Sequence, residues 1–525
     1  MFILFIIFAV FCAVIYNFNS YKYLQTIQLG GYTSQRFIKR VFFKDISYVL
    51  NLFFLACTLL LFFLNLKISS VVFLSLYNIL LLVHILKSAK KTPLKFTKRL
   101  IRQFVLQFTV LLILNLIFVF CKLEFLIFVN FALLPFISLA CLYLIMPLEN
   151  LFREKFKKRA AQKLDSFKNL IKIGITGSFG KTSVKNYLHK MLSEKYNVVS
   201  TPKSFNTPMG VSLTVFKEIN AFTEIFICEM GARKKGDIKE LCQMVKPDIG
   251  LINTVGNQHL ETFKTQENIN AEKMELANFC KSKSGPVFFS SANLNTENLY
   301  QNFSGVKYKC NKCAFEPLTN SSEEKNDTFA YAEVLEQTNL GSKFILYING
   351  ENIECQTLLL GTHNINNIVL AAALCYKLDV KLSDIKDAIY NLEPVPHRLA
   401  VIKGQNSVTV IDDTFNSNES GFIYALEVLK NFPARRILVT PGVVELKKRQ
   451  YKTNFDFCAP IKGIIDFTVI VGKENRKAFL DGFDFFGYKN FCAVNTLAQG
   501  SNFLKTYLKP GDTVLFENDL PDNYS

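Results

Sequence analysis

The sequence predicts a membrane α-helical N-terminal region followed by two α/β domains, the first built around a phosphate-binding loop. Three observations predict this. Five long apolar runs are confined to residues 1–147. The basic charge gathers in the same part of the chain. From about Asn169 onward, short β-rich runs alternate with amphipathic helical patterns, and the first of them leads into a glycine loop ending in Gly-Lys-Thr. A chain of 525 residues has room for about three domains, and the composition shifts place them at 1–160, 161–393 and 394–525.

The apolar runs are Phe2–Tyr16, Ile46–Leu66, Ser69–Leu86, Gln103–Cys121 and Glu124–Met146. A spanning helix needs about 20 apolar residues, with a lower limit near 17, and the last four runs reach it. The first is short enough for a signal-peptide core, but it lacks a basic n-region and a small-residue cleavage site, so it reads as a span or signal anchor. Residues 1–160 carry 19 Lys and Arg against 4 Asp and Glu, out of totals of 61 and 43. The net charge of +18 therefore sits mostly beside the apolar runs, which favours membrane flanks and excludes a nucleic-acid binder. Basic side chains crowd three segments: Asn17 to Asp45, Lys87 to Arg102, and Arg153 to Arg159. The intervening links hold only Lys67 and Lys122. The positive-inside rule puts the three basic segments in the cytoplasm, with the N-terminus outside and everything after Pro147 inside. No acidic residue lies deep in a span, so no proton or ion pathway is expected, and His84 falls near a helix end.

The 13 cysteines are scattered. Cys310 and Cys313 form the one close pair, and no second pair follows to complete a structural zinc site, so two ordinary thiols in a reducing cytosol are expected. The abundance of Phe (51) and lack of Trp fit AT-rich coding as well as function.

In the first α/β domain, Leu170–Ile175, Thr223–Met230, Ile249–Val255 and Pro286–Ser290 read as strands, Lys181 to Ser193 as the helix leaving the loop, and His363–Lys377 as an Ala- and Leu-rich helix. Residues 305–360 read as an antiparallel insertion. Glu393-Pro394-Val395-Pro396 reads as a linker. Beyond it, Val408–Ile411, Arg436–Thr440, Phe467–Val471 and Thr513–Phe516 are strand-like.

The loop itself is Gly174-Ile175-Thr176-Gly177-Ser178-Phe179-Gly180-Lys181-Thr182-Ser183. Gly177 and Gly180 let the backbone fold around phosphate oxygens, and the helix N-terminus adds its partial positive charge. Lys181 can reach the β- and γ-phosphates of ATP, and the Thr182 hydroxyl can ligate Mg²⁺; the flanking Ser178 and Ser183 complete the nucleotide cradle. The usual first glycine of such loops is replaced by Ile175, giving a G-x-T-G-x-x-G-K-T subtype.

This loop resembles that of the Mur ligases, the ATP-dependent amide ligases of peptidoglycan synthesis, and the resemblance continues in order over residues 170–525, closest to the D-alanyl-D-alanine-adding (MurF-like) branch. It rests on seven segments: the loop; Ser204-Phe205-Asn206-Thr207-Pro208-Met209-Gly210-Val211; Cys228-Glu229-Met230-Gly231-Ala232; Asn253 to Glu261; Ala271-Glu272-Lys273-Met274-Glu275; Gly361 to Asn367; and His397-Arg398-Leu399 with Asp412 to Asn418. It implies a P-loop central Mur ligase ATPase domain and a C-terminal Rossmann-like α/β domain. It implies that Thr182 and Glu229 hold one Mg²⁺, that His259 helps hold a second, and that Lys273 is carbamylated to support that metal. By the same resemblance Asn364 and Asn367 face the adenine, Arg398 reaches the γ-phosphate, and Asp412 or Asp413 meets the ribose. Asn206, Thr207 and Asn416 or Asn418 then lie toward the peptide substrates. The implied partners are a UDP- or lipid-linked peptidoglycan precursor and an amino acid or dipeptide, joined through an acyl phosphate at the cytoplasmic membrane.

Three departures stand out. The membrane region replaces the family's N-terminal domain for the UDP sugar. A family aspartate is Asn295. The family's basic K-G-[ST]-R segment is replaced by acidic residues after Phe516. Two other functions compete: a ligase of the poly-γ-glutamate or folylpolyglutamate type, and a non-catalytic ATP-binding membrane module, which would need neither Lys273 nor Arg398.

Overall fold

The computed structural model describes the chain apart from residues 1, 44–45, 65, 88–93, 257–259, 311–327, 416–417, 445 and 520–525. It divides into two compact units, Met1–Lys155 and Phe156–Ser525.

The regular elements described in the first unit are all helices. The apolar runs become Phe2–Asn19, Ile46–Phe63, Lys67–Lys87, Lys98–Phe120 and Phe125–Ser166. Among the described residues three stretches are long and apolar enough to cross a membrane, namely Phe2–Leu29, Lys98–Phe120 and Phe125–Ser166, and Asn51–Phe63 and Ile68–Val83 are shorter apolar helices. The basic segment after the first run is not an open loop but folds into Tyr21–Leu29 and Ser34–Phe43. Neither Pro135 nor Pro147 ends the last helix. Apolar side chains from several helices, among them Tyr16, Leu111, Phe128 and Phe131, form one buried cluster.

The second unit contains two sheets. The first has nine strands: β1 Ile171–Thr176, β2 Val198–Ser200, β3 Ile225–Glu229, β4 Ile249–Ile252, β5 Val287–Ser290, β6 Lys307–Cys310, β7 Ala330–Thr338, β8 Gly341–Ile348 and β9 Glu351–Thr357. Their order is β2-β3-β1-β4-β5-β6-β7-β8-β9. The strands from β2 to β7 pair in parallel, and β7, β8 and β9 continue as an antiparallel meander. The stretch expected as an inserted module is therefore an extension of the main sheet. The parallel strands are nearly continuous apolar runs because helices cover both faces. Ile173 and Ile175 point into one core with Val184, Leu188, Ile365 and Ile368. Phe226, Cys228 and Ile252 point into the other, with Val211, Leu241 and Leu276.

The second sheet has six strands, β10 Ala400–Lys403, β11 Thr409–Asp413, β12 Arg436–Thr440, β13 Phe467–Val471, β14 Phe491–Val494 and β15 Thr513–Glu517, in the order β10-β11-β15-β12-β13-β14. All neighbours are parallel except β10 with β11. In both sheets a candidate acidic residue, Glu229 on β3 and Asp413 on β11, sits at the C-terminal end of a parallel strand, where open α/β sheets bind ligands.

Candidate active site

The glycine loop connects β1 to the helix Lys181–Leu192. Its amides Ser178 N and Phe179 N donate to Thr254 O at 2.9 and 3.2 Å, and Ser178 Oγ donates to Gly256 O at 2.9 Å. The loop is thus fastened to the segment after β4 before any ligand arrives. Gly180 has φ +69°, and a Cβ there would meet Asn253 Nδ2 at 2.4 Å and Asn367 Oδ1 at 2.6 Å. Only glycine fits both the backbone and the space. Lys181 folds back, donating to Gly177 O at 2.8 Å and Ser178 O at 3.1 Å. Burial pushes its ammonium down to about 8; Glu229 opposes that shift and Arg398 adds to it.

Glu229 ends β3 and is 1% exposed. Such a carboxylate is costly unless compensated, and three side chains compensate it while a fourth, Thr201, fixes its backbone. Thr182 Oγ1 donates to Oε2 at 3.0 Å, Lys185 Nζ to the same oxygen at 3.2 Å, Asn206 Nδ2 to Oε1 at 3.0 Å, and the Glu229 amide donates to Thr201 Oγ1 at 3.1 Å. The paired hydroxyl and carboxylate are hard oxygen donors, and they fit Mg²⁺. Among the described residues no three His, Cys, Asp or Glu side chains converge, so phosphate oxygens and water would complete the shell of such an ion. Lys185 now supplies positive charge at Glu229. Burial lowers its pKa, against the pull of Glu229.

Lys273 lies on the helix Gln266–Ser282 and is 4% exposed. Burial, and then Lys181, push its ammonium down to about 7, while Glu272 and Asp237 act in the opposite sense. Glu272 itself is spent on two backbone amides, Gly236 N and Ile238 N, each at 2.7 Å. A lysine amine with a substantial neutral fraction near pH 7 is a nucleophile toward carbon dioxide, the chemistry carbamylation requires.

A cleft runs along the loop. Its lining includes Gly180, Asn253, Asn364, Asn367, Arg398 and Asp413. Asn364 accepts from Tyr187 Oη at 2.8 Å, and Asn367 accepts from Asn253 Nδ2 at 2.8 Å. Arg398 follows the linker, and the residues on either side, His397 and Leu399, have φ of +64° and +48°. Left-handed backbone at non-glycine residues costs roughly 1 kcal/mol each. That strain aims the guanidinium into the cleft, with its carbon 5.0 Å from the Phe415 ring centroid. Burial lowers the Arg398 pKa, and Glu229 and Asp413 act to hold it up.

Asp412 does not line this cleft. It accepts from Thr414 Oγ1 at 2.6 Å and lies 2.7 Å from His397 Nδ1, closing a surface turn. Asp413 takes the cleft position instead, accepting from Leu399 N at 3.2 Å, and burial raises its carboxyl to about 6. Successive strand residues face opposite sides, so only one of the pair can point inward. Thr207 and Asn418 serve as helix N-caps, for Pro208–Lys217 and Glu419–Lys430, although Asn418 also borders the cleft. His259, Asn416 and Cys313 lie outside the described residues. Cys310 is buried. Asn295 exchanges hydrogen bonds with Asn270 at 2.8 and 2.9 Å. Three participants were not singled out from sequence: Asn253, Lys185 and His363. His363 stacks on Tyr424 with ring centroids 5.5 Å apart, and burial lowers it to about 4.

Comparison with known proteins adds to this geometry. Residues 175–375 match the Mur ligase middle domain, and residues 397–517 match the Mur ligase glutamate ligase domain. The UDP-N-acetylmuramoyl-tripeptide–D-alanyl-D-alanine ligase of Buchnera aphidicola is 32% identical over 280 residues, covering 53% of this chain and 58% of that protein. The Escherichia coli enzyme of the same name is 28% identical over 305 residues, covering 58% and 65%. This chain thus spans about six tenths of the length of these curated relatives. The crystal structure of MurF from Acinetobacter baumannii superposes with a TM-score of 0.61 at 22% identity, covering 70% of this chain and 77% of that one. MurF ligase of Thermotoga maritima in complex with ADP superposes with a TM-score of 0.60 at 22% identity, covering 70% and 80%.

Proposed function

The chain belongs to the Mur ligase family through its middle and glutamate ligase domains, and from that premise we propose that it is an ATP-dependent, ADP-forming ligase that adds D-alanyl-D-alanine to a muramoyl-peptide precursor. The observation that carries the reading is the convergence of the Thr182–Glu229 pair and Arg398 on one glycine loop. An acyl-phosphate ligase must gather a triphosphate, a carboxylate and their developing negative charge. Mg²⁺ held by Thr182 and Glu229, with Lys181 and Arg398, supplies the positive charge for that. Asp413 would meet the ribose, and Asn206 would lie on the precursor side. His259 and a carbamylated Lys273 would support a second Mg²⁺.

The membrane assignment belongs to the same proposal. The apolar helices of residues 1–155 embed in the cytoplasmic membrane with the basic segments on the catalytic side. The carboxylate acceptor is then UDP- or lipid-linked. Full-length protein in detergent is assayed for ADP release with D-alanyl-D-alanine and either UDP-linked or undecaprenyl-linked muramoyl-tripeptide. Release that needs both the dipeptide and a muramoyl acceptor supports the reading. ADP release indifferent to every muramoyl acceptor, or stimulated only by folate and glutamate, overturns it.

A further inference from the structure

The helix Pro208–Lys217 turns apolar side chains both inward and outward. Val211 and Val215 face inward and are buried with Ile219. The outward side of such a helix is ordinarily polar. Here Met209 and Leu213, one turn apart, are 38% and 39% exposed, and Phe205 just before the helix is 39% exposed. Phe222 lies in the turn that follows. Phe222 N donates to Asn220 Oδ1 at 2.9 Å, Thr223 N to Asn220 O at 3.1 Å and Asn220 N to Thr223 Oγ1 at 3.2 Å. The turn so fastened holds the Phe222 ring out, 81% exposed. One exposed apolar side chain is ordinary, but four gathered on one helix and its flanks make a surface that water disfavours.

The partner of the inner side identifies what covers the outer one. The helix rests on the tail of the long helix Phe125–Ser166, which begins as the last apolar run of the membrane region. Ala160 and Leu164 share the buried cluster of Val211 and Val215. Phe156 meets Phe216 with ring centroids 4.8 Å apart. Lys163 Nζ donates to Val215 O at 2.9 Å and to Phe216 O at 3.4 Å, capping the last turn. Phe156 follows Met146, the end of the apolar run, by ten residues, which is about 15 Å along a helix. The tail is also basic: residues 156–168 hold Lys157, Lys158, Arg159, Lys163 and Lys168 against Asp165 alone. Apolar side chains beside lysines and arginines make up surfaces that lie in an anionic lipid interface.

We propose that Phe205, Met209, Leu213 and Phe222 seat the catalytic unit on the cytoplasmic face of the membrane, dipping into the headgroup region of a bilayer that contains anionic lipid. The inference rests on the membrane reading of residues 1–155, and adds that the unit Phe156–Ser525 touches lipid itself instead of only hanging from those helices. Phe205 precedes Asn206, whose Nδ2 donates to Glu229 Oε1 at 3.0 Å. Seating therefore brings the Asn206 side of the site toward the lipid surface, within reach of an acceptor carried on a lipid.

The chain contains no Trp, so one introduced tryptophan reports its own surroundings. Full-length Phe222→Trp and Leu213→Trp are reconstituted into liposomes of phosphatidylglycerol and phosphatidylcholine. They are compared with Phe485→Trp, which replaces a 73% exposed ring on the helix Arg476–Phe486. When plain phosphatidylcholine is exchanged for the brominated lipid, emission of Phe222→Trp and Leu213→Trp should fall at least twofold, and that of Phe485→Trp should not change. Phe222→Asp placed in the Leu213→Trp chain should relieve the quenching, because anionic lipid repels the carboxylate. Quenching no greater than in Phe485→Trp, or quenching undiminished by Phe222→Asp, overturns the seating. Phe222 is so exposed that its replacement removes little packing, and Phe222→Trp alone decides the matter should Leu213→Trp unfold. Emission of Phe222→Trp that shifts to the blue with rising protein concentration in detergent, without lipid quenching, assigns the face to a second copy and also overturns the seating. Wild-type chain that fails to float with liposomes in a density gradient refutes the membrane reading and the seating with it. Chain that floats but is unquenched refutes the seating alone.

Discussion

Thr182 Oγ1 and Glu229 Oε2 lie 3.0 Å apart, joined by a hydrogen bond between the first turn after the glycine loop and the end of β3. Lys185 shares that carboxylate oxygen from one turn further along the same helix. Glu229→Gln keeps the acceptor for Thr182 but removes the charge. Acceptor-dependent ADP release should fall at least a hundredfold, the scale of losing a preorganised electrostatic partner. The single variant strands the buried Lys185 ammonium, a defect of about 3–5 kcal/mol, so its melting temperature should drop. Glu229→Gln with Lys185→Met should recover stability and not activity. Recovered activity in the double variant would remove Glu229 from metal binding.

Lys273 yields a prediction with a definite sign in pH. Its amine is held near 7 in the folded chain against 10.5 as the ordinary value. Between those values the unfolded chain binds the extra proton, so stability rises with pH across that interval and the destabilisation is complete below about 7. Lys273→Met should therefore be more stable than the wild type at pH 6.5, with the difference shrinking as pH climbs toward 10. Urea midpoints measured across this range check it; parallel curves would contradict it. Lys273→Ala should lower acceptor-dependent ADP release at least tenfold, and stripping carbon dioxide from the buffer should do the same to the wild type alone.

The parallel core was readable because helices cover both faces: β12 and β13 coincide with the apolar runs Arg436–Thr440 and Phe467–Val471. The short β2 and the largely exposed antiparallel edge strand β10 carry only two and three apolar residues in a row, too few to stand out. The glycine loop was legible because its backbone demands fall on residues of one type. The burial of Gln103 and Gln107 within the helix Lys98–Phe120 was not, because a hydropathy average over the helix outvotes one polar residue per turn. Lys185 was overlooked for a different reason: an isolated lysine on a helix looks solvated until β3 is known to deliver Glu229 beside it.

The choice between Asp412 and Asp413 is a matter of strand facing, and kinetics can read it. Asp413 lines the cleft, whereas Asp412 is bound into its turn by Thr414 and His397. Asp413→Asn should raise the KM for ATP about tenfold, the scale of one charge-assisted hydrogen bond, and Asp412→Asn should leave it within twofold. Since burial raises the Asp413 carboxyl to about 6, the wild-type KM for ATP should also climb as pH falls below 6, and this rise should be absent in Asp413→Asn. Initial rates at varied ATP from pH 5 to 8 measure both. A larger effect at Asp412 would reverse the assignment.

Arg398 is held by strained backbone on both sides and by the Phe415 ring beneath it. The two supports predict different magnitudes. Arg398→Ala removes a charge aimed into the cleft and should lower kcat at least a hundredfold. Phe415→Leu removes only the cation–π contact, worth roughly 0.5–1 kcal/mol, so kcat should fall about two- to fivefold. If Phe415 acts only by positioning the guanidinium, Phe415→Leu should cost nothing further in the Arg398→Ala background. A double variant slower than Arg398→Ala by the full single-variant factor would show that Phe415 acts independently, as a surface against the nucleotide itself.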